Sequence, residues 1–401
     1  MEHLTTTCVI SGGGPAGLMA GFLLARAGVE VVVLEKHKDF LRDFRGDTIH
    51  PSTIQVMDEL GLADAFLALP HNKVPKLSMM FGETPIPMVD FARLKTQFPF
   101  IAMMPQWDFL DFIAERARNF PTFKLLVETE ATSLIEEGGR IVGVMANGPE
   151  ETLEIRSDLV IAADGRDSGL RDQSGLEVQD IGAPMDVLWF NLPKPVDAPA
   201  EPLGYMLPGK ILILIDRGDY WQAGYVVPKG MAVELKSGSF DGFRAQLGRE
   251  IPHLTQPLNQ LGGWDDLKLL NVQVNRLDTW WRKGLLCIGD AAHAMSPVGG
   301  VGINLAIQDA VATANMLAAP LRNGTLTTED LAALQARRER PARLTQNMQV
   351  FVQKRIITAA LAARGKVSPP LPLYLFKWFP FLRAIPARFI GLGVLPEHVD
   401  Q

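Results

Sequence analysis

The chain has 401 residues, 47% hydrophobic and 21% charged, so it can bury a large core and is neither a small binding module nor a disordered chain. Its 39 basic and 45 acidic residues leave a formal charge of −6 without a dense Lys/Arg stripe, which argues against nucleic acid as a partner. Cys8 and Cys287 each sit in an apolar run ending at a glycine turn and read as buried strand residues, so neither a disulfide nor a metal site is expected. The polar start lacks a leader pattern, and no apolar run reaches the roughly 18 residues of a membrane span, so a cytoplasmic protein is expected.

In chain order, residues 8–11 read as a strand, Gly12 to Gly14 as a turn, 15–27 as a helix and 30–34 as a strand ending in Glu35, together a βαβ unit. Helical spacing returns over 53–69 and 107–119, and the Pro- and Met-rich stretch 74–105 is too broken for a regular helix. Short strands are predicted at 124–128, 131–136, 140–146, 151–155 and 159–163, the last running into Asp164-Gly165. Residues 185–275 read as a β-rich block with strands at 187–192, 210–215 and 220–227. The chain then returns to the first domain through a strand at 285–288, Gly289-Asp290, a glycine-rich loop and a helix over 301–319. Helices over 328–338 and 342–363 and a Pro-, Phe- and Leu-rich tail complete it. The expected organisation is a discontinuous first domain (1–72, 100–180, 276–345), a β-rich domain (73–99, 181–275) and a C-terminal segment (346–401).

Gly12-Gly13-Gly14-Pro15-Ala16-Gly17 fits G-x-G-x-x-G, in which glycines let a diphosphate approach the turn and the exposed N–H groups of the following helix. Glu35, 18 residues beyond Gly17 at the end of the next strand, can accept hydrogen bonds from both hydroxyls of an adenosine ribose and would repel a 2′-phosphate. ADP with a free 2′-hydroxyl, as in FAD or NAD, suits the pair. Two further clusters, 159–171 and 287–304, each place an acid (Asp164, Asp290) beside a glycine at the end of an apolar strand. The second continues into a glycine-dense loop that opens a helix, where backbone N–H groups can face an electron-rich group.

With these three motifs in this order the sequence resembles the p-hydroxybenzoate hydroxylase class of single-component (group A) flavoprotein monooxygenases, over about 5–180 and 270–345. The resemblance implies an α/β fold: a Rossmann-like FAD-binding domain with an inserted β-sheet substrate domain and C-terminal helices. It implies that Gly12, Gly14, Pro15, Ala16, Gly17, Glu35 and Lys36 hold the ADP half of FAD. Asp164 would lie near the diphosphate, Asp290 at a ribityl hydroxyl, and Pro297, Gly300, Gly302, Ile303 and Asn304 against the isoalloxazine. Arg45 and Gln106 are implied as further cofactor contacts and Ala131 as a backbone contact to adenine. With only one G-x-G-x-x-G, NADPH or NADH would bind transiently as reductant.

The implied reaction transfers one atom of O2 from the flavin C4a position to an apolar aromatic or polycyclic small molecule. No motif identifies a base; Arg45, His293 and Pro297 are the candidates nearest the chemistry, and His293 reads more readily as structural. Tyr205, Met206, Trp221 and Tyr225 are candidates for the substrate cavity. Val301 stands where many aromatic hydroxylases keep a glutamine. Two alternatives stay open: a flavin oxidoreductase without oxygen insertion, as in prenyl reductases, and a membrane-associated quinone-ring hydroxylase. The tail, with Trp378, Lys377, Arg383 and Arg388, reads as a flap or dimer contact, or else as a membrane-surface contact, and the protein as a monomer or homodimer.

Overall fold

The computed structural model describes residues 1–41, 48–198 and 204–400. Its first layer is a parallel sheet built on β1 (Glu2–Ser11), β2 (Val31–Leu34), β3 (Phe123–Leu126), β4 (Thr152–Ala162) and β5 (Leu285–Cys287), in the order β5-β4-β1-β2-β3. Of these, β2, β5 and the carboxyl end of β4 are apolar without a break because both faces are covered. Residues Cys8, Ile10, Val31, Val33 and Ile161 pack under α1 (Pro15–Arg26), α2 (Gln106–Ala117) and α3 (Gly302–Arg322). On the opposite face, Val9, Val32, Val160 and Cys287 meet the antiparallel pair Glu130–Glu137 and Arg140–Asn147, together with Trp280 and Ala342.

The second layer is a seven-stranded sheet, in the order Lys268–Leu270, Met185–Pro193, Tyr220–Pro228, Lys210–Asp216, Gly204–Leu207, Lys76–Phe81, Thr84–Asp90. A two-stranded ribbon, Val178–Asp180 with Asn275–Leu277, marks where the chain leaves the first layer and returns. Side chains alternate along these strands. Leu188, Phe190, Leu212, Leu214, Trp221 and Tyr225 face outward under the helix Phe240–Glu250. Val187, Met206, Ile211 and Val226 face inward with Met79 and Phe81, and Val298 of the glycine-rich loop packs on this inner cluster. Beyond α3, α4 (Thr328–Val352) runs on through one π turn to Ala362, and α5 (Leu371–Trp378) and α6 (Ala384–Gly391) rest on the edge hairpin of the second sheet.

Several elements depart from the sequence reading. The helix expected over 53–69 is two, Pro51–Glu59 and Ala63–Leu67, separated at Gly61, whose φ of +70° ends the first. The strands expected at 151–155 and 159–163 are the single β4. Residues 74–105, read as too broken for a regular helix and as part of the β-rich domain without strands being placed, supply three strands. The β-rich block also contains the helices Ala232–Ser237 and Phe240–Glu250. Pro341 lies inside α4 and does not divide it.

Candidate active site

Strand register assembles the site. Ser11 of β1 pairs with both Leu34 and Ala162, and Ala162 with Cys287, so four parallel strands end side by side. Each is followed at once by a motif: Gly12 to Gly17, Glu35, Asp164-Gly165 and Gly289-Asp290. Ligands of open α/β sheets bind at such carboxyl ends. The turns touch so closely that side chains are excluded. A β-carbon on Gly12 (φ +106°) would lie 2.4 Å from the Ala163 carbonyl oxygen, one on Gly17 2.0 Å from the Gly12 oxygen, and one on Gly289 2.9 Å from the Ala16 β-carbon.

Gly14 is different, because a β-carbon there would meet nothing within 4 Å. It is the N-cap of α1, which has Pro15 at its first position, no side-chain cap and no acid in its first turn. The positive end of the helix is thus left for an anionic ligand. Glu35 is buried at the end of β2; its Oε2 accepts from the Gly13 N–H (3.2 Å) and its Oε1 from the His37 N–H (2.9 Å). The neighbouring Lys36 ammonium lies 3.8 Å from Glu130, which places the strand of Ala131 beside this corner. Gln106 is buried at the start of α2, which packs on α1.

In the second motif, burial pushes the Asp164 carboxyl above its ordinary range and outweighs the Ser168 hydrogen bond, while its Oδ1 has no partner among the described residues. Arg166 then bridges to the third motif, its guanidinium 3.2 Å from Asp290. Pro297 leads into a tight turn, Val298–Gly300, with Gly299 at φ +79° and Gly300 at +65°. The Thr48 hydroxyl donates to the Gly300 carbonyl (3.2 Å), and Gly302 begins α3. Ile303 enters the main core, and Asn304 Oδ1 accepts from the Thr53 hydroxyl (2.8 Å). Asn304 Nδ2 is buried without a partner among the described residues.

His293 is enclosed, its Nε2 2.6 Å from Asp309 and its ring centroid 4.9 Å from that of Trp280. In this placement the imidazole braces the Gly289-Asp290 turn through Asp309, the structural role favoured from sequence. Asp309 Oδ2 also accepts from the Gly289 N–H (3.0 Å), and its Oδ1 accepts from Arg338 Nε (3.0 Å). Burial alone would raise the Asp309 carboxyl, but His293 and Arg338 hold it below its usual range. Three glutamines of the next helical run secure the loop. Gln346 donates to the carbonyls of Asn275 (2.8 Å) and Ala294 (3.0 Å), Gln349 to those of Ser296 and Val298 (2.8 Å each), and Gln353 to the Ser296 hydroxyl (2.6 Å). None of the three, nor Asp309 or Arg338, was expected from sequence.

The substrate candidates fall on two sides of the second sheet. Tyr205, Trp221 and Tyr225 belong to the outward cluster, on the side of the sheet away from Val298. Of the four, Met206 alone faces inward. Trp189, not expected, lies on the inner face over Gly224, where a β-carbon would be 2.9 Å from its ring. Arg45 lies outside the described residues.

The donors fit FAD: an open glycine at an uncapped helix end, a buried carboxylate fixed for ribose hydroxyls, and a buried unpartnered amide beside the glycine-rich turn. A family model for the FAD binding domain matches residues 5–348. The chain is 31% identical over 366 residues to the 6-methylpretetramide 4-monooxygenase of Streptomyces rimosus, a match covering 91% of this chain and 86% of that protein. It is 24% identical to the para-nitrophenol 4-monooxygenase of Pseudomonas sp. (strain WBC-3), covering 82% and 81%. Among solved structures, the anhydrotetracycline hydroxylase of Streptomyces rimosus aligns with a TM-score of 0.76 at 24% identity, covering 98% of this chain and 77% of that one. Fold and site together define a flavoprotein of the p-hydroxybenzoate hydroxylase class. The chain belongs to the FAD-binding-domain family and is an FAD-dependent monooxygenase.

Proposed function

We propose that the protein hydroxylates an apolar aromatic or polycyclic small molecule, using NADPH or NADH as transient reductant and O2 as oxygen donor. The observation that carries this reading is the apolar inner face of the second sheet (Met79, Phe81, Val187, Met206, Ile211, Val226), which meets the Pro297–Gly302 turn at Val298. An apolar face of this kind beside the glycine-rich loop suits an apolar ring system and offers it few polar partners. The named relatives act on 6-methylpretetramide and para-nitrophenol, which supports an aromatic substrate.

When bound, FAD supplies hydride acceptance and O2 activation. The protein's own residues bind, orient and shield. The N-terminus of α1 and Gly14 hold the diphosphate, Glu35 the ribose, Asp290 the ribityl chain, and Asn304 with the glycine-rich turn the ring. Leu373, Tyr374 and Phe376 of the C-terminal segment cover the inner cluster and keep water from it. A phenolic substrate is already nucleophilic, so the chemistry needs no dyad of the hydrolase kind.

The test begins with the absorption spectrum of the purified protein after incubation with FAD, then follows substrate-stimulated NAD(P)H oxidation under labelled O2 with a panel of polycyclic phenols. The expected result is a yellow protein that inserts label into product. A colourless protein rejects the whole reading, and turnover without label selects the reductase alternative.

A further inference from the structure

The C-terminal segment has two unlike sides. Its inward residues Leu373 and Ala387 are buried against the second sheet. Outward, Leu371, Leu375 and Trp378 recur at i, i+4 and i+7 on α5, exposed by 83, 41 and 65%. Phe379, Phe381 and Ile385 extend this strip across the turn to α6, and each is exposed. Six large apolar side chains within fifteen residues are not the scattered surface hydrophobics of an ordinary protein face. Arg383 Nε donates to the Phe376 carbonyl (2.7 Å) and joins the two helices, so the strip is one surface.

Charge identifies what it meets. Between Glu339 and Glu397 the sequence carries nine Lys or Arg and no Asp or Glu, although the whole chain holds more acid than base. Lys377 and Arg388 stand exposed among the apolar residues, and Lys354, Arg355, Arg364 and Lys366 are exposed on the preceding stretch. Aromatic and aliphatic side chains surrounded by cations of one sign match the two layers of a lipid interface: acyl boundary for the first, anionic headgroups for the second, with tryptophan between them.

We propose that the outward face of α5 and α6 docks on the surface of an anionic phospholipid bilayer. Contact is peripheral, since no helix among the described residues is long and apolar enough to cross a membrane. This goes beyond the hydroxylation reading and does not depend on the compound oxidised.

The test is co-sedimentation of the FAD-loaded full chain with phosphatidylcholine vesicles, with and without phosphatidylglycerol. Binding is expected to the anionic vesicles, to weaken as salt rises, and to fall about fivefold for each of Lys377→Ala and Arg388→Ala, from about 1 kcal/mol per cation near an anionic surface. Trp378→Ser combined with Phe381→Ser should weaken binding by more than the two charge changes together, with flavin absorbance and melting temperature retained. Absence of binding to anionic vesicles at low salt overturns the proposal, as does binding unchanged by all four substitutions. A concentration-dependent dimer that the double substitution dissociates, without vesicle binding, overturns it too and assigns the face to a second copy of the chain.

Discussion

Gly14→Ala and Gly17→Ala separate what the fold needs from what the cofactor needs. At Gly17 the added β-carbon would stand 2.0 Å from the Gly12 carbonyl oxygen, backbone against backbone, so the turn itself must open. Overpacking of this kind costs roughly 1–3 kcal/mol and lowers the melting temperature whether or not FAD is present. At Gly14 the backbone is ordinary (φ −74°, ψ −177°) and the new methyl meets no protein atom within 4 Å. FAD-free Gly14→Ala should therefore match the parent within about 0.5 kcal/mol. The methyl nonetheless occupies the space in front of the helix N-terminus, where a diphosphate would accept charge-assisted hydrogen bonds worth about 1.5–3 kcal/mol each. Losing one lowers FAD affinity by at least about tenfold. Thermal melts with and without FAD, beside a titration of flavin fluorescence, read both quantities. A Gly14→Ala protein that binds FAD as tightly as the parent would refute the path assigned to the diphosphate.

Three further outcomes follow from the loop and its supports. Burial pushes His50 down to about 4, against a hydrogen bond with the Ile390 carbonyl. Since unfolded histidine titrates near 6.5, only the unfolded chain takes up this proton as pH falls; the stability is complete above pH 6.5 and declines by roughly 3 kcal/mol towards pH 4. His50→Asn should flatten that decline in denaturant titrations at pH 7 and near pH 4.5, and equal declines would rule the assignment out. Asp309→Asn weakens the partner of the buried Arg338 and should cost about 3–5 kcal/mol, seen as a lower urea midpoint; an unmoved midpoint would show the pair to be dispensable. Gly299→Val imposes a β-branched residue at φ +79° where a β-carbon makes only ordinary contacts, so it should slow flavin reduction by NAD(P)H in stopped flow more than it weakens FAD retention. Normal reduction in that variant would remove the loop from gating.

Apolar continuity made the parallel strands legible, since Val31 to Leu34 and Leu159 to Ala162 have no polar side and therefore lie between two covered faces. Residues 84–90 were not legible because Pro85 and Pro87 argue against a strand. The strand is the last in its sheet, and at an edge the missing N–H groups need no partner. The helix Phe240–Glu250 did leave a signal, with Ser239 as its cap and Phe240, Phe243 and Leu247 at helical spacing. The Pro/Gly turns flanking it are equally compatible with short strands.

For the site the division is sharper. Glycines at 12, 17 and 289 are dictated by contacts that no β-carbon can enter, and such positions show in a sequence as motifs. Gln346, Gln349 and Gln353 are as essential to the loop's shape, yet a polar side chain on a helix looks the same whether it meets water or a buried carbonyl. Only the approach of α4 to the chain at 294–298 turns that stripe inward. The placement of Tyr205, Trp221 and Tyr225 is hidden for the same reason. Period-two alternation shows that they share a side of their strands and that Met206, Gly224 and Val226 share the other, but nothing local says which side meets the cofactor. That choice is made by Val298, some 70 residues further along the chain than Val226, when the glycine-rich turn comes to rest on the inner face.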